Sequence, residues 1–316
     1  MTGSEQLTFF EELSQRERAD TEPRHSLPTR MGAATIEYRS TRDILTKATG
    51  FMDAYDFTLN PYTGCAFGCT YCYAAFFSRG LDSVSGSDRG GSWGRWVEVK
   101  ENAVSLLEAR RSSLDGKRIY MSTVTDPYQP LERKLEITRN LLSVLAERHR
   151  PKLVVQTRSP DVLRDVELFQ KIAERGGQVQ VNLTVTTDDE KIRREFEPWC
   201  PSNGKRLLAA KTLAENGIET CVTMTPLLLI RDAKKFAEDL LTTGVKKFII
   251  QPFHLQRGKF VAGTRETALK IMAERLSCDR GSIVKRYQEQ YDRVRTVLSR
   301  ELPSLGEGKA GFEPPF

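Results

Sequence analysis

Three cysteines fall within eight residues, Cys65-Ala66-Phe67-Gly68-Cys69-Thr70-Tyr71-Cys72, with Tyr73 directly after them. A spacing of three residues and then two suits a metal cluster held by one tight loop. Thiolates bind iron–sulfur clusters one per iron. A four-iron cluster on this triplet therefore keeps one iron without a protein ligand, open to an exogenous ligand and able to act as a reaction centre. A structural zinc site wants four ligands, commonly as two close pairs. Here Cys200, Cys221 and Cys278 stand apart from the triplet, and His25, His149 and His254 are scattered. A disulfide framework belongs to oxidising compartments and short secreted chains. The stretch from Met1 to Gln15 carries charges and no apolar run, unlike a secretory leader. A soluble protein of a reducing, cytoplasmic compartment is expected.

The elements that must position these thiols are legible as an alternation beginning at Thr58. Short apolar strands are expected at Phe57 to Leu59, Arg118 to Ser122, Lys152 to Gln156, Val179 to Thr184, Glu219 to Met224 and Lys247 to Ile250. Amphipathic helices are expected between them at about Asn102 to Ser112, Arg133 to Glu147, Pro160 to Arg175, Gly204 to Asn216 and Arg231 to Thr242. Gly176-Gly177, Gly217 and Gly244 stand where helices end before the next strand. Strands alternating with helices imply parallel pairing and right-handed crossovers. The fold class is α/β, a partial (β/α)6 barrel two units short of the eight-fold form. A chain of 316 residues is within the range of one such barrel.

The barrel core is assigned to residues 51–256, between an N-terminal extension, 1–50, and a basic helical C-terminal extension, 257–316. The N-terminal arm is polar and punctuated by Pro23 and Pro28, which predicts poor order with one short helix at Leu7 to Arg16. A strand at Ala34 to Tyr38 and a helical turn at Asp43 to Thr49 follow. The Gly- and Ser-rich segment Ser78 to Gly94, directly after the cysteines, reads equally as a lid or as a plain insertion. Helices are expected at Thr264 to Leu276 and at Ile283 to Arg300. In the latter, Ile283, Val284, Tyr287, Tyr291, Val294, Val297 and Leu298 form an apolar stripe that docks on the barrel.

The net charge of +6 is concentrated between Arg257 and Arg300, which hold eleven Lys/Arg against five Asp/Glu. This is either a solvated helical face or a surface for a polyanion. Apolar stretches such as Thr225 to Ile230 are far too short to span a bilayer. A monomer is expected.

With its surroundings, the triplet resembles the radical S-adenosylmethionine (SAM) superfamily, and more narrowly its spore photoproduct lyase-like branch. The resemblance covers roughly Ala34 to Leu255. It rests on Asn60-Pro61-Tyr62-Thr63-Gly64 leading into the cysteines, Tyr71-Cys72-Tyr73 closing them, Val124-Thr125-Asp126-Pro127, Thr157-Arg158-Ser159, Phe196-Glu197-Pro198 with Arg206-Leu207, and Thr225-Pro226. It implies a [4Fe–4S] cluster on Cys65, Cys69 and Cys72 with SAM on the fourth iron. It also implies reductive cleavage of SAM to a 5′-deoxyadenosyl radical that takes hydrogen from a substrate, with flavodoxin or ferredoxin as reductant. The backbone of Tyr71 is implied at the adenine, Thr125 and Asp126 at the methionyl end, Arg158 on the carboxylate where the lyase has a lysine, Asn182 in place of a serine, and Thr225 near the adenine. Guanidinium grips a carboxylate bidentately, so the change at Arg158 keeps the role.

The departure that bears most on function is at a further position. The lyase has a hydrogen-donating cysteine where this chain has Thr123, and a hydroxyl is a poor hydrogen-atom donor, so repair of spore photoproduct by that route is not expected. Tyr71 and Tyr73 match tyrosines of a radical relay, with Tyr73 the candidate for a redox role. Cys221, and after it Cys200 and Cys278, are alternative hydrogen donors, set against the ordinary fate of isolated cysteines as small buried hydrophobes. The absence of a second cysteine group argues against an auxiliary cluster. The substrate stays open between a nucleic acid lesion or nucleobase, met through segment 257–300, and a small metabolite or peptide side chain. A non-enzymatic iron–sulfur protein is the third reading.

Overall fold

The computed structural model describes residues 27–76, 92–255 and 264–316. The expected helix at Leu7 to Arg16, most of segment 78–94 and the start of the basic segment lie outside the described residues. The strands, in chain order, are β1 (Arg30–Met31), β2 (Ala34–Arg39), β3 (Leu45–Lys47), β4 (Phe57–Leu59), β5 (Tyr62–Gly64), β6 (Trp96–Lys100), β7 (Arg118–Met121), β8 (Lys152–Thr157), β9 (Gln178–Thr184), β10 (Glu219–Met224), β11 (Lys247–Ile250) and β12 (Leu305–Glu307). They form two sheets. The smaller runs β1-β2-β6-β5 and the larger β12-β11-β10-β9-β8-β7-β4-β3.

Six strands of the larger sheet, β4 and β7 to β11, are those expected from the alternation, and all pair in parallel. Both flanking strands depart from expectation. The segment expected as a helical turn at Asp43 to Thr49 is the antiparallel strand β3, with Leu45 opposite Leu59 and Lys47 opposite Phe57. The Asp43 side chain accepts the Leu45 N–H, and the free edge of β4 takes the extended chain that follows. At the other end, β12 leaves the helical C-terminal segment to pair in parallel with β11. The ends of this sheet are linked outside the hydrogen-bond ladder: Lys309 Nζ lies 2.6 Å from the Asp53 carboxylate, and Phe312 meets Phe51 edge to face at 5.7 Å.

The parallel register gives the sheet two unlike faces. One carries Leu153, Val155, Val181, Leu183, Val222, Met224, Phe248 and Ile250, all in the main core. Each such side chain contributes about 1.5–3 kcal/mol on burial. The other carries Tyr120, Val154, Gln156, Gln180, Asn182, Thr184, Cys221 and Thr223. Apart from Ile249 and a small cluster of Ala48, Tyr55, Tyr120 and Val154 joined by Met52, Phe312 and Phe316, this inner face is mostly polar. Its polar groups pair with one another. Tyr120 donates to Gln156 Oε1 at 2.7 Å, and Gln156 Nε2 donates to the hydroxyls of Thr184 at 2.8 Å and Thr223 at 3.0 Å.

The described helices are α1 (Ala103–Glu108), α2 (Glu132–Leu135), α3 (Ile137–Arg148), α4 (Val166–Glu174), α5 (Glu190–Phe196), α6 (Asn203–Glu215), α7 (Ala233–Leu241), α8 (Glu266–Arg275), α9 (Ile283–Glu301) and α10 (Gly308–Gly311). The single helix expected from Arg133 to Glu147 is broken at Glu136, whose φ is 50°. Buried Glu132 spans the break, accepting from Tyr62, from the Thr138 N–H at 3.1 Å and from Arg164 at 2.9 Å. The helix expected from Pro160 begins as a 3-10 turn, Pro160–Asp165, and becomes α-helical at Val166. Helix α5 was not anticipated; the Asp189 side chain caps it by accepting from the N–H groups of Lys191 and Ile192.

Helix α9 packs on α7 and buries Ile283, Tyr287, Tyr291, Val294 and Leu298, whereas Val284 of the expected stripe is 47% exposed. Its Tyr287 hydroxyl donates to the Leu227 carbonyl at 2.7 Å and accepts the Phe253 N–H at 2.6 Å, fixing the loops after β10 and β11. No helix among the described residues is long and apolar enough to cross a membrane.

Candidate active site at the cysteine loop

The cysteine loop leaves the end of β5 through Gly64. Its φ is 78°, and a Cβ there would lie 2.7 Å from the Trp96 ring. Gly68, inside the loop, has φ 59°, and a Cβ there would lie 2.6 Å from the Trp199 ring. Both positions combine a left-handed backbone with close approach of an indole, which glycine alone tolerates. Neighbouring elements pin the loop. Gln129 Oε1 accepts the Ala66 N–H at 2.9 Å, and the Thr125 hydroxyl donates to the Gly64 carbonyl at 2.6 Å. The Thr70 N–H and hydroxyl both donate to the Phe196 carbonyl, at 2.8 and 3.2 Å.

Cys65 and Cys69 are buried and Cys72 is partly so. Burial raises the Cys65 thiol far above its usual range, with Asp126, Cys69 and Cys72 adding to the effect. Burial followed by the charge of Cys69 pushes Cys72 up to about 12. Cys69 moves the other way, lowered chiefly by a hydrogen bond with Cys200 against its own burial, with help from Arg158. The three thiols thus share one electrostatic neighbourhood. Among the described residues no three metal-ligating side chains are gathered around a common centre. The donor set nevertheless fits a cluster: three thiols on one loop that two close-packed glycines hold in shape.

Beside the loop lies a buried ionic network. Arg158 Nη1 donates to the Tyr71 hydroxyl at 2.8 Å and to Glu197 Oε1 at 3.0 Å, and its guanidinium lies 5.8 Å from the centre of the Tyr71 ring. Glu197 also accepts from Tyr71 at 2.5 Å, from Thr186 at 2.7 Å and, on its other oxygen, from the fully buried Arg206 at 2.5 Å. Burial alone would raise the Glu197 carboxyl; Arg206 and Arg158, then Tyr71 and Thr186, overcome it and hold it at about 2.

Asp126 stands at the turn after β7. One oxygen accepts from the Tyr128 N–H at 2.9 Å and the Thr157 hydroxyl at 2.7 Å, the other from the Arg158 N–H at 2.9 Å. Its carboxyl is raised by burial, against these bonds. Thr123 is held by Asn60, whose Oδ1 accepts the Thr123 N–H at 2.9 Å. Tyr73, 47% exposed, donates its hydroxyl to the Thr123 carbonyl.

Cys65, Cys69, Cys72, Tyr71, Tyr73, Thr125, Asp126 and Arg158 are therefore brought together with Thr123. Asn182 and Cys221 are not part of that contact set. They face each other in register on β9 and β10, below the strand ends. Asn182 accepts from Gln180 at 2.8 Å, and Cys221 is buried, its thiol raised to about 12. Thr225 follows the end of β10 and joins Pro226 through a cis peptide bond. In the sequence Glu197 and Arg206 stand in a motif without a role, and no motif there marks Gln129, Gln156, Thr184 and Thr223 as functional. Gln129 lies four residues after Thr125 and bonds its hydroxyl at 3.3 Å, a spacing that was available as a signal. Glu197 meets its partners only through space.

The Radical SAM superfamily model matches residues 59–240, more than half of the chain. An uncharacterized protein of Methanocaldococcus jannaschii is 38% identical over 172 residues; the match covers 54% of this chain and 60%, less than two thirds, of that protein's length. Among solved structures, spore photoproduct lyase complexed with dinucleoside spore photoproduct superposes with a TM-score of 0.56 at 13% identity, over 90% of this chain and 86% of that one. A variant of that lyase with bound AdoMet and the same dinucleoside gives 0.52 at 13% identity, over 89% and 86% of the two chains. These last two likenesses are of fold.

Proposed function

The chain belongs to the radical SAM superfamily, and from that premise we propose that Cys65, Cys69 and Cys72 hold a [4Fe–4S] cluster and that Tyr71, Thr125, Asp126, Arg158, Asn182 and Thr225 receive SAM. When bound, the two cofactors together supply a 5′-deoxyadenosyl radical that takes hydrogen from a substrate carbon. The protein supplies orientation and exclusion of water. The observation that carries this reading is the anchoring of the thiol loop, through Tyr71, to the same Glu197 that holds Arg158.

Arg158 spends Nη1 on Tyr71 and Glu197. Its Nε and Nη2 have no hydrogen-bond acceptor among the described residues, which leaves one edge of the guanidinium for a carboxylate. Asp126 fixes the Tyr128 N–H, the Thr157 hydroxyl and the Arg158 N–H, three of the roughly four bonds a carboxylate accepts. The remaining lone pair suits an ammonium group. Flavodoxin or ferredoxin is the reductant this chemistry calls for, and a reducing cytoplasm is the compartment it suits.

The proposed substrate is a nucleic acid lesion or nucleobase. The fold likeness to a lyase solved with a dinucleoside and the basic charge of segment 257–300 support it. The polar inner face, with Gln156, Thr184 and Thr223, supports the second reading, a small metabolite or peptide side chain held inside the sheet. The test is anaerobic reconstitution with iron and sulfide, then dithionite and SAM. About four irons per chain and release of 5′-deoxyadenosine are expected. A fully loaded chain that releases none overturns the reading.

A further inference from the structure

The segment after α5 lies directly on the cysteine loop. Phe196 takes two hydrogen bonds from Thr70, Glu197 takes one from Tyr71, and the Trp199 ring fills the space above Gly68. The next residue, Cys200, brings a thiol to 3.5 Å from Cys69 Sγ, with both sulfurs buried. Its other acceptor, the Phe67 carbonyl, is farther away at 4.0 Å. The Cys200 backbone is itself held, its carbonyl accepting from Arg193 Nη1 at 2.8 Å.

We propose that Cys200 is a positioning residue acting through Cys69: its S–H donates to the Cys69 sulfur and raises the reduction potential of the cluster that Cys69 holds. This rests on the reading of Cys69 as a cluster ligand. A ligating cysteine is a thiolate and can only accept, so the proton between the two sulfurs belongs to Cys200. A hydrogen bond to a ligand sulfur withdraws electron density from it and stabilises the more negative, reduced cluster more than the oxidised one. Burial keeps competing water away and strengthens the effect. The segment that covers the loop thereby also tunes it.

The test uses the full chain as wild type, Cys200→Ala and Cys200→Ser, each reconstituted anaerobically without SAM and titrated with dithionite under EPR detection. All three are expected to hold a four-iron cluster. The midpoint of Cys200→Ala is expected below that of wild type, and Cys200→Ser, whose hydroxyl still donates, is expected to return toward it. A purely structural role would not restore the potential with serine. An alanine midpoint equal to wild type overturns the proposal, as does a serine midpoint equal to alanine. Loss of iron in Cys200→Ala also overturns it, by making Cys200 a ligand. A wild-type chain that takes up no iron removes the assignment of Cys65, Cys69 and Cys72 as ligands, and this proposal with it.

Discussion

Glu197 has no exposed surface and sits between Arg158 and Arg206, the latter also fully buried. Removing one partner of a buried ion pair strands the other charge, at about 3–5 kcal/mol. Glu197→Gln is therefore expected to destabilise the cluster-free chain by that order, read as a lower denaturation midpoint, and, by releasing Arg158, to weaken SAM binding in the loaded chain. The pH dependence has a definite sign. The folded carboxyl is held at about 2, below the 4.5 of a free glutamate, so its stabilisation is complete above about pH 5 and is lost as pH falls toward 2. The gap between wild type and Glu197→Gln should narrow on acidification; a gap that widens would contradict the charge argument. At the ligands, alanine in place of Cys65, Cys69 or Cys72 should abolish the cluster's visible absorption and its iron. The triplet was legible because ligand chemistry fixes residue type and spacing within one loop. Glu197 was not, because its partners Tyr71, Thr186 and Arg206 come from three separate stretches of chain.

Among the elements, the loops around the cysteines are held more by fit than by hydrogen bonds along their own backbone. Gly68→Ala places a methyl group 2.6 Å from the Trp199 ring in a left-handed backbone. Strained backbone of this kind costs on the order of 1–3 kcal/mol, and the clash adds to it. The variant should melt earlier and hold substoichiometric iron, and Gly68→Ala with Trp199→Ala should recover part of both; no recovery would show that the backbone alone sets the requirement. The six inner strands were legible as short apolar runs alternating with helices, three of them preceded by the glycines that end a helix. Strands β3 and β12 were not, because they stand outside the strand–helix alternation and each forms on an edge offered by β4 or β11. The break at Glu136 was hidden for a related reason: Glu132 looks like an exposed helical residue until Tyr62 and Arg164 are placed around it.

At the scale of the whole molecule, one sheet presents an apolar face to the main core and a polar face to its interior, so the region below the cysteine loop is unusually rich in hydrogen-bonding groups for a protein core. The basic C-terminal helices lie on the outside of this body, and their charges are not equivalent. Arg275 pairs with Glu195, Arg280 with Glu266 and Arg295 with Glu307. On α9, Arg286, Arg293 and Arg300 are exposed and recur every seven residues, about 10 Å apart along one face. No salt bridge neutralises these three among the described residues. If the substrate is a nucleic acid, this row is the part of the segment free to neutralise phosphates. Binding should then fall with salt, with a slope of about 0.7–0.9 per phosphate contacted. Replacing the three arginines with glutamine should weaken binding and reduce that slope by about 2, with thermal stability unchanged, as read by anisotropy titrations of a labelled single-stranded oligonucleotide at several salt concentrations. A slope that is the same in both proteins would remove the row from the interface. No measurable binding by the wild type would turn the search for substrate toward the polar interior around Gln156, Thr184 and Thr223.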